Sequence, residues 1–207
     1  GWAYRFMKTW LTQNIEHPHG FSTTTDFRSL IYQKILSSTV SMSDIKKMKR
    51  MIQGVQFAKL NQLISEVSSE YRIEIADSSS LRALLEYLSE KYPPNKLNCT
   101  FRIKARDVVL YMHKNPSNKF AEKNYFTKFV SNYIEYAEAT GRGLEKSWSL
   151  PPTLEESPFE SMFSQIFLSD EFNFNRLSAE DIMAKWLEKV EISEEHSKLN
   201  NRDSIQG

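Results

Sequence analysis

Apolar residues recur every three or four positions along most of the chain, the spacing of an amphipathic helix. In the N-terminal half this pattern predicts helices over residues 2–15, from Thr23 to about residue 35, from Ser41 to about residue 52, and over residues 55–71. Thr23 and Ser41 are each followed three residues later by Asp, a pairing that caps the first turn of a helix. Gly54 separates the last two helices in this interpretation.

The second half continues the helical pattern, with two exceptions. Helices are predicted from about Ser78 to Tyr92, over 105–114, and over 118–139, and further helices begin at Ser157 and Ser178. Pro93-Pro94-Asn95 ends the first of these. The exceptions are residues 72–76 and 100–104, where polar and apolar side chains alternate, the period of a short strand.

These elements predict an all-α fold, mainly helical with one or two short strands. One arrangement places two small helix-turn-helix-like subdomains on either side of residues 93–97. The predicted organisation is an N-terminal helical subdomain at 1–92, a second helical subdomain at 97–147, a linker and acidic amphipathic helices at 148–192, and a disordered tail at 193–207.

Composition narrows the class of protein. Hydrophobic residues make up 40% and charged residues 26%, proportions typical of globular domains. Uncharged apolar runs are far shorter than the roughly 20 residues that cross a bilayer, so we expect no membrane association. The single cysteine excludes an internal disulfide and suits a reducing compartment. An intracellular location is expected, with the nucleus favoured over the cytoplasm.

Charge is unevenly distributed along the chain. Residues 1–150 contain 22 Lys and Arg against 14 Asp and Glu, a net charge of +8. Residues 151–207 contain 5 against 12, a net charge of −7. The overall charge of +1 therefore hides a basic body followed by an acidic C-terminal region.

The residues needed for catalysis do not form a recognisable motif. His17 and His19 flank a proline and have no second pair of ligands nearby, whereas structural zinc usually takes four Cys or His side chains at short spacings. The only thiol is Cys99. Residues 141–143 (Gly-Arg-Gly) follow a predicted helix rather than a strand, the place of a helix cap and not of a dinucleotide-binding loop. We expect a non-enzymatic protein without metal or cofactor.

Two basic segments are candidates for contact with nucleic-acid phosphates. Cations crowded on one helix repel one another, and a polyanion would relieve that repulsion and release counterions. The alternative is that these side chains form an ordinary solvated helix face. The first choice of phosphate-binding residues is Lys46, Lys47, Lys49 and Arg50, and the second is Arg102, Lys104 and Arg106.

The acidic region contains candidate protein-binding residues. Phe159, Phe163 and Phe167 share one face of the helix that follows Ser157, and Trp186 belongs to the last predicted helix. An acidic amphipathic helix can enter the apolar groove of a partner. The alternative is that it docks on residues 1–150 of its own chain, which their opposite charge favours.

Together these features predict an intracellular binding domain, associated with DNA in a chromatin or transcription setting through its basic helices. The acidic helices would then contact a protein partner. The alternative is a scaffold or adaptor domain that binds only proteins, with its basic body meeting an acidic partner.

Overall fold

The computed structural model describes residues 39–116, 121–144, 146–154, 156–168 and 173–192. The helices predicted at 2–15 and from Thr23, and the tail from 193 onward, lie outside these residues. The mainly helical fold is confirmed. The described helices are α1 (Met42–Tyr71), α2 (Ser79–Lys91), α3 (Pro94–Lys114), α4 (Ala121–Ala139), α5 (Pro158–Phe167) and α6 (Ala179–Leu187), with a 3-10 turn at Pro152–Leu154 and strands β1 (Thr39–Val40) and β2 (Glu191–Ile192).

Helix α1 is continuous over 30 residues, so the predicted break at Gly54 is wrong. A glycine inside a helix costs only about 1 kcal/mol relative to alanine. Burial on both sides of Gly54, at Ile52 and at Leu60, outweighs that cost. The predicted start is confirmed, because the Ser41 side chain accepts the Asp44 amide hydrogen and the Asp44 carboxylate accepts from the Ser41 backbone.

Helix α3 includes the second predicted strand, residues 100–104, so that prediction is wrong. Leu97, Phe101, Ala105 and Val108 are all buried, and their spacing is helical. The polar and apolar alternation of residues 100–104 is a short part of this longer helical pattern. Pro94 occupies the first turn of the helix, where its fixed φ angle fits and no amide hydrogen is needed.

The first predicted strand, residues 72–76, is also wrong, because this segment is an irregular connection between α1 and α2. Arg72 takes the left-handed conformation with φ of 53° and ends α1. Ile73 is buried and Ile75 half-buried, so the alternating apolar side chains belong to a loop that is anchored in the core.

Two apolar clusters hold the helices together. The first apolar cluster joins the C-terminal half of α1 to α2, α3 and α4, and includes the edge-to-face pair Phe101–Phe126 with ring centroids 5.8 Å apart. It takes side chains from both sides of residues 93–97. The second apolar cluster joins Ile52 of α1 to α5, α6 and the segment between them. Helix α1 therefore runs through both clusters and connects them.

Backbone hydrogen bonds fasten the C-terminal region to the rest of the fold. The Asn95 amide donates to the Asn175 carbonyl at 3.1 Å, and the Asn95 carbonyl accepts from the Trp148 amide at 3.0 Å. Strands β1 and β2 pair in parallel, which joins the residues before α1 to those after α6. No helix among the described residues is long and apolar enough to cross a membrane.

Candidate polyanion-binding surface on α1

The four cations of first choice lie on the N-terminal half of α1 and are all exposed: Lys46, Lys47, Lys49 and Arg50. We call them the α1 cation group. From residue 45 to residue 65 the chain contains five Lys and Arg and no Asp or Glu. The exposed side of this half of α1 is therefore basic.

Neighbouring carboxylates reach only part of the α1 cation group. Lys47 Nζ lies 3.5 Å from Asp44 Oδ1, and Lys49 Nζ lies 2.9 Å from Glu90 Oε1 on α2. The hydrogen bond to Glu90 raises the pKa of Lys49 above its ordinary value. Lys46 and Arg50 make no ion pair with any residue that the structure describes. They are one helical turn apart, so they point from the same side of α1.

Asp44 is the acidic residue closest in sequence to this surface, and it is already engaged. Its carboxylate accepts hydrogen bonds from the Ser41 hydroxyl at 2.6 Å and from the Ser41 amide at 3.2 Å. The hydrogen bond from the Ser41 side chain is the main reason why the pKa of Asp44 is lowered. The carboxylate is thus held at the start of α1, away from Lys46 and Arg50.

Lys59, the remaining cation of this stretch, has the opposite environment. Its side chain is 5% exposed and pairs with Glu160 of α5, whose side chain is 4% exposed. Lys59 Nζ also donates to Asn175 Oδ1 at 2.6 Å. Lys59 lies in the helix predicted over residues 55–71, and no local signal indicates its burial, because its partners lie more than a hundred positions away.

Glu160 has two functions at once. One carboxylate oxygen pairs with Lys59, and the other accepts the Ser157 amide hydrogen at 2.8 Å, which completes the capping box of α5. Nearby, Gln56 Nε2 donates to the carbonyl oxygens of Phe174 and Leu177 at 2.8 and 3.2 Å. The acidic region is therefore joined to α1 by buried polar contacts as well as by apolar ones.

The predicted protein-binding residues lie largely in the second apolar cluster. Phe163, Phe167 and Trp186 are buried there, and Phe159 is half-buried with its ring centroid 5.9 Å from that of Phe163. Of the two alternatives for this segment, the structure has the one in which it docks on its own chain. Contact of these residues with a protein partner stays a prediction.

The second basic segment lies along α3, and two of its three cations are engaged. Arg102 pairs with Glu70 of α1, and Arg102 Nε donates to Asn98 Oδ1 at 2.8 Å. Lys104 Nζ lies 2.9 Å from Asp107 and 4.7 Å from the centre of the Tyr133 ring. Arg106 is exposed. These three residues therefore do not form one free cationic surface.

Metal-binding groups are not brought together in the described parts of the chain. No cluster of three or more His, Cys, Asp or Glu that could hold a metal occurs there. Cys99 is buried in α3, and burial raises the pKa of its thiol, which disfavours the nucleophilic thiolate. His113 is exposed near the end of α3, while His17 and His19 lie outside the described residues.

The sequence matches no family model, and neither the curated proteins nor the solved structures contain a significant match to it.

Proposed function

We propose that this protein is a non-enzymatic nucleic-acid-binding domain that contacts phosphates through the α1 cation group. The observation that carries the proposal is the pair Lys46 and Arg50, exposed one turn apart on a helix without a carboxylate from residue 45 to residue 65. Adjacent phosphates of a nucleic acid offer repeated negative charge to such a pair. A nuclear location in a chromatin or transcription setting belongs to the same proposal.

The position of α1 supports this function. The helix is fixed by the first apolar cluster at its C-terminal half and by the second at Ile52, so its N-terminal cations project from a rigid element. Rigid presentation lowers the entropy lost on binding. The residues that follow on the exposed side, Gly54 and Ala58, are small and leave room for a bulky ligand.

The acidic region leaves these cations available in the described structure. Glu160 is buried against Lys59, and the Asp181 carboxylate accepts from Ser178 at the start of α6. Glu180 of α6 acts on Lys49 through its charge, at the edge of the group. Glu160 and Asp181 are therefore engaged away from Lys46 and Arg50, which supports phosphate binding by the folded chain.

The test is fluorescence anisotropy of the full chain with labelled random duplex DNA from about 50 to 200 mM salt. The full chain is needed because removing the acidic region would strip Ile52 and Lys59 of their partners. Three to four phosphate contacts predict a slope of log affinity against log salt of about −3. The variant Lys46→Glu/Arg50→Glu should weaken binding by at least about tenfold, since each reversal replaces an attraction by a repulsion.

The matched control is Arg142→Glu/Lys189→Glu, which makes the same change in net charge at exposed positions outside α1. It should weaken binding by less than about threefold, as a long-range charge effect at these salt concentrations would. Equal losses in the two variants would mean that only net charge matters and would reject the α1 site. The absence of any DNA binding at low salt would reject the function itself.

A further inference from the structure

A groove of about 540 Å³ runs between α3 and α4, on helices other than the one that carries the α1 cation group. Its floor is aromatic, formed by Tyr111, Phe129 and Tyr133. Leu110 of α3 and Tyr136 of α4 line it as well, and they are 53% and 54% exposed. Large apolar side chains with this much exposure, side by side along a groove, are typical of an interaction surface.

The charge of the α3–α4 groove is also one-sided. Lys104, Lys114 and Asp107 are its charged lining residues. Asp107 is occupied by Lys104 at 2.9 Å. Lys114 is exposed and makes no ion pair with a residue in the described ranges. The groove therefore combines an apolar floor with an uncompensated positive charge near the C-terminal end of α3.

The arrangement of the rings opposes stacking with nucleic-acid bases. Tyr111 already stacks on Tyr125, with ring centroids 4.6 Å apart and an angle of 25° between the planes. Phe129 meets both of these rings edge to face, and Lys104 covers Tyr133. A single-stranded nucleic acid needs successive free ring faces, and the occupied faces of Tyr111 and Tyr133 disfavour such stacking.

We propose that the α3–α4 groove binds an acidic amphipathic helix of a partner protein. Apolar side chains at helical spacing would enter between Leu110 and Tyr136, and a Glu or Asp one turn away would pair with Lys114. Apolar anchors on one face of a helix are how peptides commonly occupy grooves between helices. The charge complementarity favours an acidic partner over a basic one.

The test uses synthetic peptides and the full chain. The first peptide is fluorescein-labelled and has about 16 residues, long enough to form a helix. Leu recurs along it at the spacing i, i+3, i+4 and i+7, and most other positions are Glu. A second peptide has Lys in place of each Glu. Oligodeoxythymidine of similar length serves as the single-stranded nucleic acid. We expect the acidic peptide to bind at least about tenfold more tightly than the basic one, measured by anisotropy.

Variants locate the binding. Leu110→Ala/Tyr136→Ala should weaken the acidic peptide by about tenfold or more, because both anchoring contacts are lost. Lys114→Glu should weaken it less, and mainly at low salt. The control for the apolar pair is Val109→Ala, a side chain of α3 that is exposed but does not line the groove. Thermal melting checks that the exposed substitutions leave the fold intact.

Other occupants are distinguished in the same experiment. Preferential binding of the oligonucleotide, lost in Leu110→Ala/Tyr136→Ala, would overturn the proposal in favour of a nucleic-acid groove. Self-association in sedimentation, abolished by the same pair, would assign the groove to a second copy of the chain. Equal affinity of wild type and this variant for the acidic peptide, or no binding, would also overturn it. Lys46→Glu/Arg50→Glu should leave the affinity for the peptide within about twofold. The DNA proposal and the groove proposal can therefore fail independently.

Discussion

Lys46 and Lys59 belong to the same acid-free stretch of α1 yet occupy opposite environments. Lys46 is exposed and makes no ion pair with a described residue, whereas Lys59 is buried against Glu160 and Asn175. The difference comes from which side of the helix each residue occupies and from what the distant acidic region covers. A count of positive charges in the sequence therefore overstates the surface available to a ligand. Such a count also does not show that the ammonium group of Lys59 is buried in the core.

The sharpest way to test this contrast is to remove each ammonium group in turn. Lys59→Met leaves the Glu160 carboxylate buried without its cation, and we expect a loss of about 3–5 kcal/mol in the free energy of unfolding. Lys46→Met should change it by less than about 0.5 kcal/mol. Urea denaturation of both variants measures the difference. In Lys59→Met/Glu160→Gln much of the loss should be recovered, and a failure to recover would mean that Lys59 acts through packing alone.

A second prediction concerns the apolar side of the same docking. Phe163→Ala should cost about 3 kcal/mol, near the low end for a buried phenylalanine, because the adjacent Phe159 and Phe174 rings can move into part of the cavity. The exposed Tyr136→Ala should cost far less. Thermal and urea unfolding provide the comparison. A loss below about 0.5 kcal/mol in Phe163→Ala would show that the acidic region does not stay docked in solution.

On the exposed side of α1 we expect a smaller change in the free energy of unfolding, and in the direction of greater stability. A Cβ atom added to Gly54 meets nothing within 4 Å, so Gly54→Ala should stabilise the protein by about 0.5–1 kcal/mol through its higher helix propensity. Ala58→Gly, one turn further on and also exposed, is the matched control and should destabilise by a similar amount. Destabilisation by Gly54→Ala would mean that another part of the chain covers this side of the helix.

The smallest effect on stability is expected at Glu138. Its carboxylate is exposed, whereas that of Glu160 is buried. Tyr87 and Tyr92 both donate to Glu138 Oε1, and these hydrogen bonds lower the pKa of Glu138. Its contribution to stability is therefore present above its unfolded-state pKa and is lost as pH falls through the folded-state pKa. The same bond to Glu138 raises the pKa of Tyr87 from 10.0 to about 12.

The contribution of Tyr87 is accordingly complete below pH 10 and is lost as pH rises towards 12. Urea unfolding of wild type and Tyr87→Phe across both ranges measures the effect. The stability difference between the two should be largest near neutral pH and shrink at both extremes. A constant difference from acidic to alkaline pH would show that the Tyr87–Glu138 hydrogen bond does not persist in solution.

Local sequence signals predicted the starts of helices well. Ser41, Ser157 and Ser178 each cap a helix as their spacing to an acidic residue three positions later indicates. These signals succeed because the capping hydrogen bonds are made within one turn. The predicted break at Gly54 was wrong because the continuation of α1 depends on distant packing. Gly54 is tolerated inside α1, and Pro94 begins a helix instead of only ending one.

The candidate site was predicted only in part. The sequence showed the crowding of positive charge on α1, which is a local property. It did not show that Lys49 reaches Glu90 on α2, or that Arg102 reaches Glu70. The α3–α4 groove was also missed, because it requires the relative position of two helices. The helical spacing of Leu97, Phe101, Ala105 and Val108 was the signal in the sequence that would have placed residues 100–104 in α3.

The order in which the chain is made gives the Lys59–Glu160 pair a further consequence. During synthesis Lys59 and Ile52 leave the ribosome well before Phe163, Ile182 and Trp186, which complete their surroundings. At 5–20 residues per second the delay is on the order of ten seconds. For that interval the N-terminal half of α1 has to persist with an apolar side chain and an ammonium group open to water. The nascent chain therefore exposes this side of α1 to chaperones and proteases until α6 emerges.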